Sequence, residues 1–270
     1  MYLYAATSFG ETTTSLSYLP TAVPTSVLDL LDAKGVPWGA YSDALFTMDL
    51  LQADKNWSKW TSRQASIAKL KSDAAAGTLP HVVFIDPDFV DEGYNGQDEH
   101  PPAVMQIGEN WLAGIVQSLM ASPQWAHTAM FLLYDEHGGL YDHVAPPPAC
   151  PPDGIQPILS TPDGGTYGGF DEYGIRLPFV VLSPYAKRHY VSHQVFDHTS
   201  VLRFIEARFG LPAMTKRDAN ALAPFDVFDF KSPPNLTAAP MPDVPIDQTI
   251  LSQCQAIFTA PDVSASGYAQ

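Results

Sequence analysis

The pattern of apolar and polar residues predicts strands and helices that alternate along the chain. Continuous apolar runs are typical of strands covered on both faces, and apolar residues at helical spacing indicate amphipathic helices. The predicted strands are residues 38–41, 81–85, 128–134 and 179–182. The predicted helices are residues 26–33, 62–76 and 199–208, with one more that Pro101-Pro102 opens and Ser122-Pro123 ends.

Residues with strong preferences for helix ends mark several of these boundaries. Ser26 has the side chain of an N-cap, and Gly35 is suited to end the same helix. Gly77 and Gly210 end the second and the last predicted helices in the same way. The first helical turn tolerates proline, so Pro101-Pro102 is a typical beginning for the clearest helix of the chain.

Strands that alternate with helices predict an α/β fold, with a mostly parallel sheet and helices on both faces. The chain contains no convincing linker, so we expect residues 1–270 to form a single domain. In such sheets ligands bind outside the carboxyl ends of the strands. Asp86, Asp135 and Ser183 each follow a predicted strand, so the functional site is expected at that edge.

The composition narrows the function classes. A chain of 270 residues, of which 46% are hydrophobic, can form a substantial core. The net charge of -15 argues against binding to a nucleic-acid backbone. No apolar run of roughly 18 residues is present, so no transmembrane segment is expected. The first six residues lack the basic leader of a signal peptide.

The two cysteines leave the redox compartment open. Cys150 and Cys254 are far apart and match no metal-ligand spacing. In an oxidising compartment they would close a disulfide bond between a mid-chain loop and the C-terminal segment. The alternative is two free thiols.

Two adjacent carboxylates carry the strongest chemical signal. Asp135 and Glu136 directly follow the predicted strand 128–134, and Gly138-Gly139 then allows a tight turn and the close approach of a ligand. If buried, the carboxylates repel each other unless a cation lies beside them. Their oxygens suit Mg²⁺, Ca²⁺ or Mn²⁺, and nearby histidines also admit Zn²⁺. The alternative is an acidic turn exposed to water.

Three titratable residues precede the helix that Pro101-Pro102 opens. They are Asp98, Glu99 and His100. A helix N-terminus favours an anion such as phosphate, and His100 is suited to donate to a phosphoryl oxygen or to protonate a leaving group. Alternatively, one of the two acids caps the helix and His100 takes no part.

Two Asp-His pairs are weaker candidates. Asp197-His198 precedes the last predicted helix, where Thr199 or Ser200 is an ordinary N-cap, so His198 is either a ligand or a structural residue. Asp142-His143 would either support the adjacent carboxylates through hydrogen bonds or bond within its own loop.

Five longer motifs follow one another along the chain. They are DEHPP (98–102), YDEHGGLYDHVAPPP (134–148), GIRLPFVVLSPYA (174–186), DHTSVLRFIEARFGL (197–211) and RDANALAPFDVFDF (217–230). In this order they resemble the bacterial phosphoesterase family that contains non-specific phospholipases C and AcpA-type acid phosphatases, within the alkaline-phosphatase-like superfamily. With weaker matches near residues 28–41, the resemblance covers nearly the whole chain.

The resemblance implies hydrolysis of phosphate mono- or diesters by a Ser or Thr nucleophile that a divalent metal ion assists. It makes Asp135 and Glu136 metal ligands and places His100 at the phosphoryl group or the leaving oxygen. His137 stands where family members vary. An alkaline-phosphatase-like fold, phosphoester or phospholipid substrates and a secreted or periplasmic location are implied in the same way. Further residues are candidates for supporting the ligands or contacting the substrate: Asp98, Glu99, His137, Asp142, His143, Asp197 and His198.

The sequence departs from the family at its start. Members carry a Glu-Asn-Arg-Ser-Phe-Asp-His segment whose Glu and Asn bind the metal, and residues 1–10 resemble the stretch just after the family's nucleophile. We therefore expect the nucleophile, part of the metal site and the first strand or strands of the sheet to precede Met1. Thr12, Thr13 and Thr14 are in the wrong register and are more simply a surface turn. The alternative is a catalytically inactive fragment or binding protein that retains the fold.

Overall fold

The computed structural model describes residues 1–12, 20–88, 96–101, 103–157, 168–237, 241–242 and 244–258. The α-helices in these ranges are α1 (Tyr2–Ala5), α2 (Val27–Lys34), α3 (Trp57–Trp60), α4 (Ile67–Ala76), α5 (Met105–Met120), α6 (His198–Phe209), α7 (Lys216–Asn220) and α8 (Gln248–Phe258). The strands are β1 (Trp38–Tyr41), β2 (Gln64–Ala65), β3 (Val82–Ile85), β4 (Met130–Leu133) and β5 (Phe179–Leu182).

The chain divides into two compact units. The first comprises Met1–Trp38, Thr47–Ser62 and Ala129–Pro234, and the second comprises Gly39–Phe46, Arg63–Thr128 and Asn235–Gln270. The first unit therefore holds β4, β5, α6 and α7, and the second holds β2, β3, α4 and α5. The expectation of a single domain stays a prediction.

The second unit contains the parallel pairing that the sequence predicts. Its strands lie in the order β2-β1-β3, and β1 and β2 are parallel, with Ala40 opposite Gln64 and Tyr41 opposite Ala65. Helices α4 and α5 pack against each other in the same unit. A parallel sheet combined with helices is an α/β fold, as expected.

The first unit departs from the expected parallel sheet. Strands β4 and β5 are antiparallel, with Phe131 opposite Val181 and Leu133 opposite Phe179. Parallel neighbours need a crossover connection, usually a helix. No helix occurs in residues 134–157 and 168–178, which are the described part of the connection from β4 to β5. The chain returns beside β4 in the opposite direction instead.

Strands β4 and β5 are also less covered than their apolar sequences predict. All four residues of β4 are only half-buried, and the side chain of Val180 in β5 is 47% exposed. One face of the pair carries an aromatic cluster, in which the Phe131 ring lies 6.2 Å from that of Phe179 and 4.9 Å from that of Phe204. Because no residue of the two strands is fully buried and Val180 is exposed, the expectation that both faces are covered is wrong for this pair.

Local signals place the helix ends well where a polar cap is present. Ser26 caps α2 by accepting a hydrogen bond from the Asp29 main-chain N–H, and Asp29 bonds back to the Ser26 main-chain N–H at 2.9 Å. Gly35 ends α2 with a φ of 69°, in the left-handed region that favours glycine. Gly77 and Gly210 end α4 and α6 in the same conformation. These predictions are confirmed.

Two predicted helix starts are wrong. Helix α4 begins at Ile67 with Ser66 as its cap, because residues 61–65 form a 3-10 turn and strand β2. Helix α5 begins at Met105 rather than at Pro101, because Ala103 donates to the carbonyl of His100 at 2.7 Å and closes a separate turn. Pro102 lies outside the described residues.

A buried carboxyl pair joins α6 to α7, which pack against each other. The Glu206 side chain is 1% exposed, and its Oε2 accepts a hydrogen bond from Arg203 at 3.2 Å. Burial, together with the neighbouring carboxylate of Asp218, raises the pKa of Glu206 to about 8. Asp218 is fully buried and accepts hydrogen bonds from the main chain of Met214 and Thr215, both at 2.7 Å. Glu206, next to the carboxylate of Asp218, is therefore largely protonated at neutral pH.

This pair predicts that the protein loses stability as the pH rises. Because the folded-state pKa of Glu206 lies above the ordinary value of 4.5, its stabilising contribution is full below pH 4.5 and is lost as the pH rises through about 8. Such a shift amounts to a few kcal/mol. In Glu206→Gln the amide donates without titrating, so urea unfolding measured across this range should give a flatter free energy of unfolding than in the wild type.

The control for this prediction is Glu172→Gln, which removes an exposed glutamate of the same unit. It should leave the pH dependence of the wild type in place. An equal pH dependence in Glu206→Gln and the wild type would show that Glu206 does not titrate as argued.

Candidate functional site

Asp135 and Glu136 are adjacent residues just beyond the end of β4. Asp135 Oδ1 accepts a hydrogen bond from the Glu136 main-chain N–H at 2.9 Å, and Glu136 Oε2 accepts one from the Gly138 N–H at 2.7 Å. Both residues are exposed. Each carboxylate thus uses one oxygen to stabilise the turn, and its other oxygen has no hydrogen-bond partner among the described residues.

A glycine turn follows the two carboxylates, as the sequence predicts. Gly138 and Gly139 have φ values of 62° and 72°, which other residues rarely adopt. Leu140 closes the turn by donating to the His137 carbonyl at 3.0 Å. No atom lies within 4 Å of the position that a Cβ would take at Gly139, so the main chain there is open to an approaching ligand.

The exposure of the carboxylates changes one argument for a metal ion. The sequence suggests that a buried pair needs a cation to relieve repulsion between its charges. Because Asp135 and Glu136 both face water, solvent screens that repulsion and the pair is stable without a cation. The remaining argument for a bound metal ion is that the carboxylate oxygens of Asp135 and Glu136 are suitable metal ligands.

The ring of His198 reaches the same strand end from α6. Its Nε2 donates to the Tyr134 carbonyl oxygen at 3.0 Å, one residue before Asp135. Burial lowers the pKa of His198, although the Tyr134 carbonyl and the charges of Asp197 and Asp135 oppose that shift. The neutral ring with its proton on Nε2 has an unprotonated Nδ1. Of the two alternatives for His198, the structure therefore shows a hydrogen bond to the main chain beside the carboxylates.

Asp197 caps α6 and does not face the carboxylates as a ligand. Its Oδ1 accepts hydrogen bonds from the Ser200 main-chain N–H at 3.2 Å and from the Thr199 hydroxyl at 2.6 Å. Its Oδ2 lies 3.7 Å from the guanidinium of Arg217. The predicted cap was Thr199 or Ser200, and the residue before them takes that role.

Arg217 is a residue that the sequence argument missed. Its side chain is 5% exposed, it donates to the Phe170 carbonyl at 2.6 Å, and its guanidinium lies 5.6 Å and 5.0 Å from the ring centres of Tyr2 and Tyr173. The available signal was its place at the start of the RDANALAPFDVFDF motif, where it is a basic residue beside an acid in a chain with few cations.

Asp142 binds an arginine rather than the two carboxylates. Arg176 donates to both of its oxygens, at 2.8 and 2.9 Å, and holds the pKa of Asp142 well below its usual range. His143 lies 3.5 Å from the same carboxylate. The Val144 main-chain N–H also donates to the Asp142 carboxylate, at 3.2 Å. The contacts with His143 and Val144 are therefore those of a residue that bonds within its own loop, the second of the two predicted alternatives. Arg176 was not singled out by the sequence.

His100 lies in the second unit, whereas Asp135 and Glu136 lie in the first. It is exposed, its Nδ1 is 2.8 Å from the Pro101 carbonyl oxygen, and its main-chain N–H donates to Asp98 at 3.4 Å. Glu99 has a φ of 62°. Because α5 begins only at Met105, none of the three titratable residues sits in its first turn, and a phosphate contact of His100 stays a prediction.

No three His, Cys, Asp or Glu side chains in the described ranges come together as a metal site would require. Cys150 and Cys254 are both free thiols. The hydroxyl of Thr12 is buried without a hydrogen-bond partner in the described residues, and Thr13 and Thr14 lie outside them. Asp135 and Glu136, with His198 behind them, are thus the chemical groups that the fold brings together.

Comparison with known proteins assigns the family. A model of the Phosphoesterase family matches residues 1–212. This chain belongs to the phosphoesterase family. It is similar to non-specific phospholipase C1 of Arabidopsis thaliana, with 32% identity over 81% of this chain and 43% of that protein. It is also similar to phospholipase C B of Mycobacterium tuberculosis, with 35% identity over 61% of this chain and 32% of that protein.

A third relative of this phosphoesterase is the non-hemolytic phospholipase C of Pseudomonas aeruginosa, with 36% identity over 65% of this chain and 27% of that protein. The chain thus spans less than half the length of each of these relatives. No helix among the described residues is long and apolar enough to cross a membrane.

The positive φ of Gly139 predicts that replacing this glycine by alanine destabilises the protein. Gly139→Ala should lower the free energy of unfolding by about 1–2 kcal/mol, because alanine is strained at a φ of 72° although space is open around it. Gly154→Ala is the matched control, since Gly154 also has open space and no positive φ. Equal thermal unfolding midpoints for the two variants would contradict the argument.

Proposed function

We propose that this phosphoesterase hydrolyses phosphate esters at a divalent metal ion for which Asp135 and Glu136 are two ligands. The observation that carries the proposal is the paired carboxylate turn, in which each side chain is fixed by one main-chain hydrogen bond and keeps one oxygen open. Phospholipids and phosphomonoesters are both candidate substrates, and the phospholipase C names of three relatives favour the former.

The residues present fit part of a metal site. Carboxylate oxygens are the ligands that hard divalent cations prefer, and exposure lets an ion reach them without the cost of burying charge. When bound, such an ion would polarise the phosphoryl oxygens and favour the ionised nucleophile. Among the described residues, no third His, Cys, Asp or Glu joins the two carboxylates. We therefore propose that other residues supply the remaining ligands.

The protein's own contribution at this turn is to fix the direction of the carboxylates. His198 holds the Tyr134 carbonyl, and Tyr134 is covalently joined to Asp135, so a shift of α6 would turn the carboxylate pair. The buried Arg217 holds Asp197 and thereby the first turn of α6. His100 is proposed, from the family motif alone, to contact the phosphoryl group or the leaving oxygen.

The nucleophile is proposed to be a Ser or Thr that precedes Met1, in keeping with the register of the family motifs. The α-amino group of Met1 is buried, which lowers its pKa, and the nearby charge of Asp135 opposes this shift. The proposal also includes an alkaline-phosphatase-like fold whose first strands precede Met1. It further includes a single domain and a secreted or periplasmic location.

The metal proposal predicts that Asp135→Asn combined with Glu136→Gln weakens the binding of Mn²⁺ or Ca²⁺ by at least about tenfold, since two anionic ligands are lost. Isothermal titration calorimetry measures the affinity. The matched control is Asp171→Asn with Glu172→Gln, which neutralises another pair of adjacent, exposed carboxylates in the same unit. An unchanged affinity in the first variant, or an equal loss in the control, would remove the pair from the site.

The nucleophile proposal predicts little or no turnover of p-nitrophenyl phosphate, or of its phosphorylcholine ester, by the 270-residue chain alone. A chain extended by the preceding in-frame coding sequence should gain activity if that sequence encodes the Glu-Asn segment and the nucleophile. Substantial activity of the 270-residue chain that survives replacement of Thr12, Thr13 and Thr14 by alanine would refute this placement. An in-frame stop codon just upstream would favour the catalytically inactive binding protein instead.

A further inference from the structure

A surface of the first unit combines cations with apolar side chains. Residues 174–196 contain no Asp or Glu, although the chain as a whole has 29, and this stretch includes the exposed sequence Lys187–Val191. The segment 225–231 lies against it. The basic–aromatic surface consists of exposed side chains from both segments: Arg188, Tyr190, Val191, Phe225, Phe230 and Lys231.

The two segments form one platform because their main chains are bonded to each other. Lys187 donates its main-chain N–H to the Val227 carbonyl at 2.8 Å, and Asp229 donates its own to the Tyr185 carbonyl at 2.8 Å. The rings of Tyr185 and Phe230 lie 5.4 Å apart. The main chains that carry the exposed side chains are therefore held next to each other.

The two acidic residues of the platform, Asp226 and Asp229, accept hydrogen bonds from neighbouring residues. Asp226 Oδ2 accepts hydrogen bonds from the hydroxyls of Tyr190 at 2.9 Å and Ser192 at 2.6 Å. Asp229 accepts hydrogen bonds from the main chain of Lys231 and from the main chain and hydroxyl of Ser232. Asp226 Oδ2 and both oxygens of Asp229 face these donors, and Asp226 Oδ1 is buried. The cationic side chains of Arg188 and Lys231, by contrast, are exposed to water.

The apolar members of the platform are unusually open. Val191 is 72% exposed, Phe230 is 66% exposed and Phe225 is 49% exposed. Side chains of this kind next to one another mark interaction sites on folded proteins. Tyrosine is suited to a boundary between water and hydrocarbon, and Lys or Arg beside it attracts anionic headgroups.

The platform is separate from the carboxylate turn. It follows the carboxyl end of β5, and Asp135 follows the carboxyl end of β4. Because the two strands are antiparallel, these ends lie at opposite edges of the pair. The platform and the carboxylate turn therefore follow opposite ends of the strand pair.

We propose that the basic–aromatic surface binds a lipid surface that carries anionic headgroups. Arg188 and Lys231 meet the headgroups, while Tyr190, Val191 and Phe230 enter the boundary with the hydrocarbon. The net charge of -15 repels such a surface elsewhere, so binding is oriented through this patch. The same net charge disfavours a long polyanion such as nucleic acid, which would extend beyond so small a cationic area.

The test is co-sedimentation of the full 270-residue chain with vesicles of phosphatidylcholine alone or mixed with phosphatidylglycerol. The chain should bind the mixed vesicles more tightly than vesicles of phosphatidylcholine alone. Its binding to the mixed vesicles should weaken as the salt concentration rises from about 0.1 M to about 1 M. Arg188→Glu with Lys231→Glu should lower the partition onto mixed vesicles by about tenfold or more. Val191→Asp should lower it as well, through loss of apolar insertion.

The control is Lys55→Glu with Lys71→Glu, which changes the net charge equally at two exposed lysines outside the platform. It should bind mixed vesicles much better than the Arg188, Lys231 variant does. Equal binding to both kinds of vesicle, or an equal loss in both double variants, would overturn the proposal. The proposal would also be overturned if the chain did not bind vesicles but self-associated, and if Val191→Asp abolished that self-association. The surface would then be assigned to a second copy of the chain. No turnover enters these measurements, so their failure is distinct from failure of the proposed hydrolysis.

Discussion

The hydrogen bond from the His198 ring to the Tyr134 carbonyl joins helix α6 to the end of strand β4, and the direction of the carboxylate pair depends on it. The donor stands at the first residue of α6, whose position is set by its Asp197 cap. Asp197 is in turn fixed by Arg217, a buried cation between two aromatic rings. A buried charge without such partners is costly, so this arrangement tolerates little change.

This arrangement gives Asp135 and Glu136 a fixed base and an open outer side. Their main-chain hydrogen bonds and the two left-handed glycines stabilise the turn without a cation, while one oxygen of each carboxylate stays open to solvent. A site of this kind is preorganised, because binding an ion costs little further loss of side-chain freedom. In the proposed metal site, the open glycine main chain would leave room for a substrate group next to the ion.

Two exposed surfaces of the first unit differ in their chemistry. Acidic oxygens dominate the turn after β4, and basic and aromatic groups dominate the platform after β5. The antiparallel pairing of these strands sends the two sets to opposite edges. In the parallel arrangement that the sequence predicts, both strand ends would have met at the same edge. The direction of one short strand therefore decides whether one surface or two are available to ligands.

Local patterns along the chain were sufficient to predict the family motifs, the α/β class, the caps of α2 and α6 near their observed positions, and Asp135 and Glu136 as adjacent carboxylates at a strand end. These features depend on local preferences and on spacing along the chain, which a sequence displays directly. Four features could be seen only in the folded protein: the antiparallel direction of β5, the later start of α5, the exposure of the carboxylates, and the contacts of His198, Arg217 and Arg176. Each of those results from groups far apart in sequence that meet through packing and desolvation, and no local pattern records which of them will be neighbours.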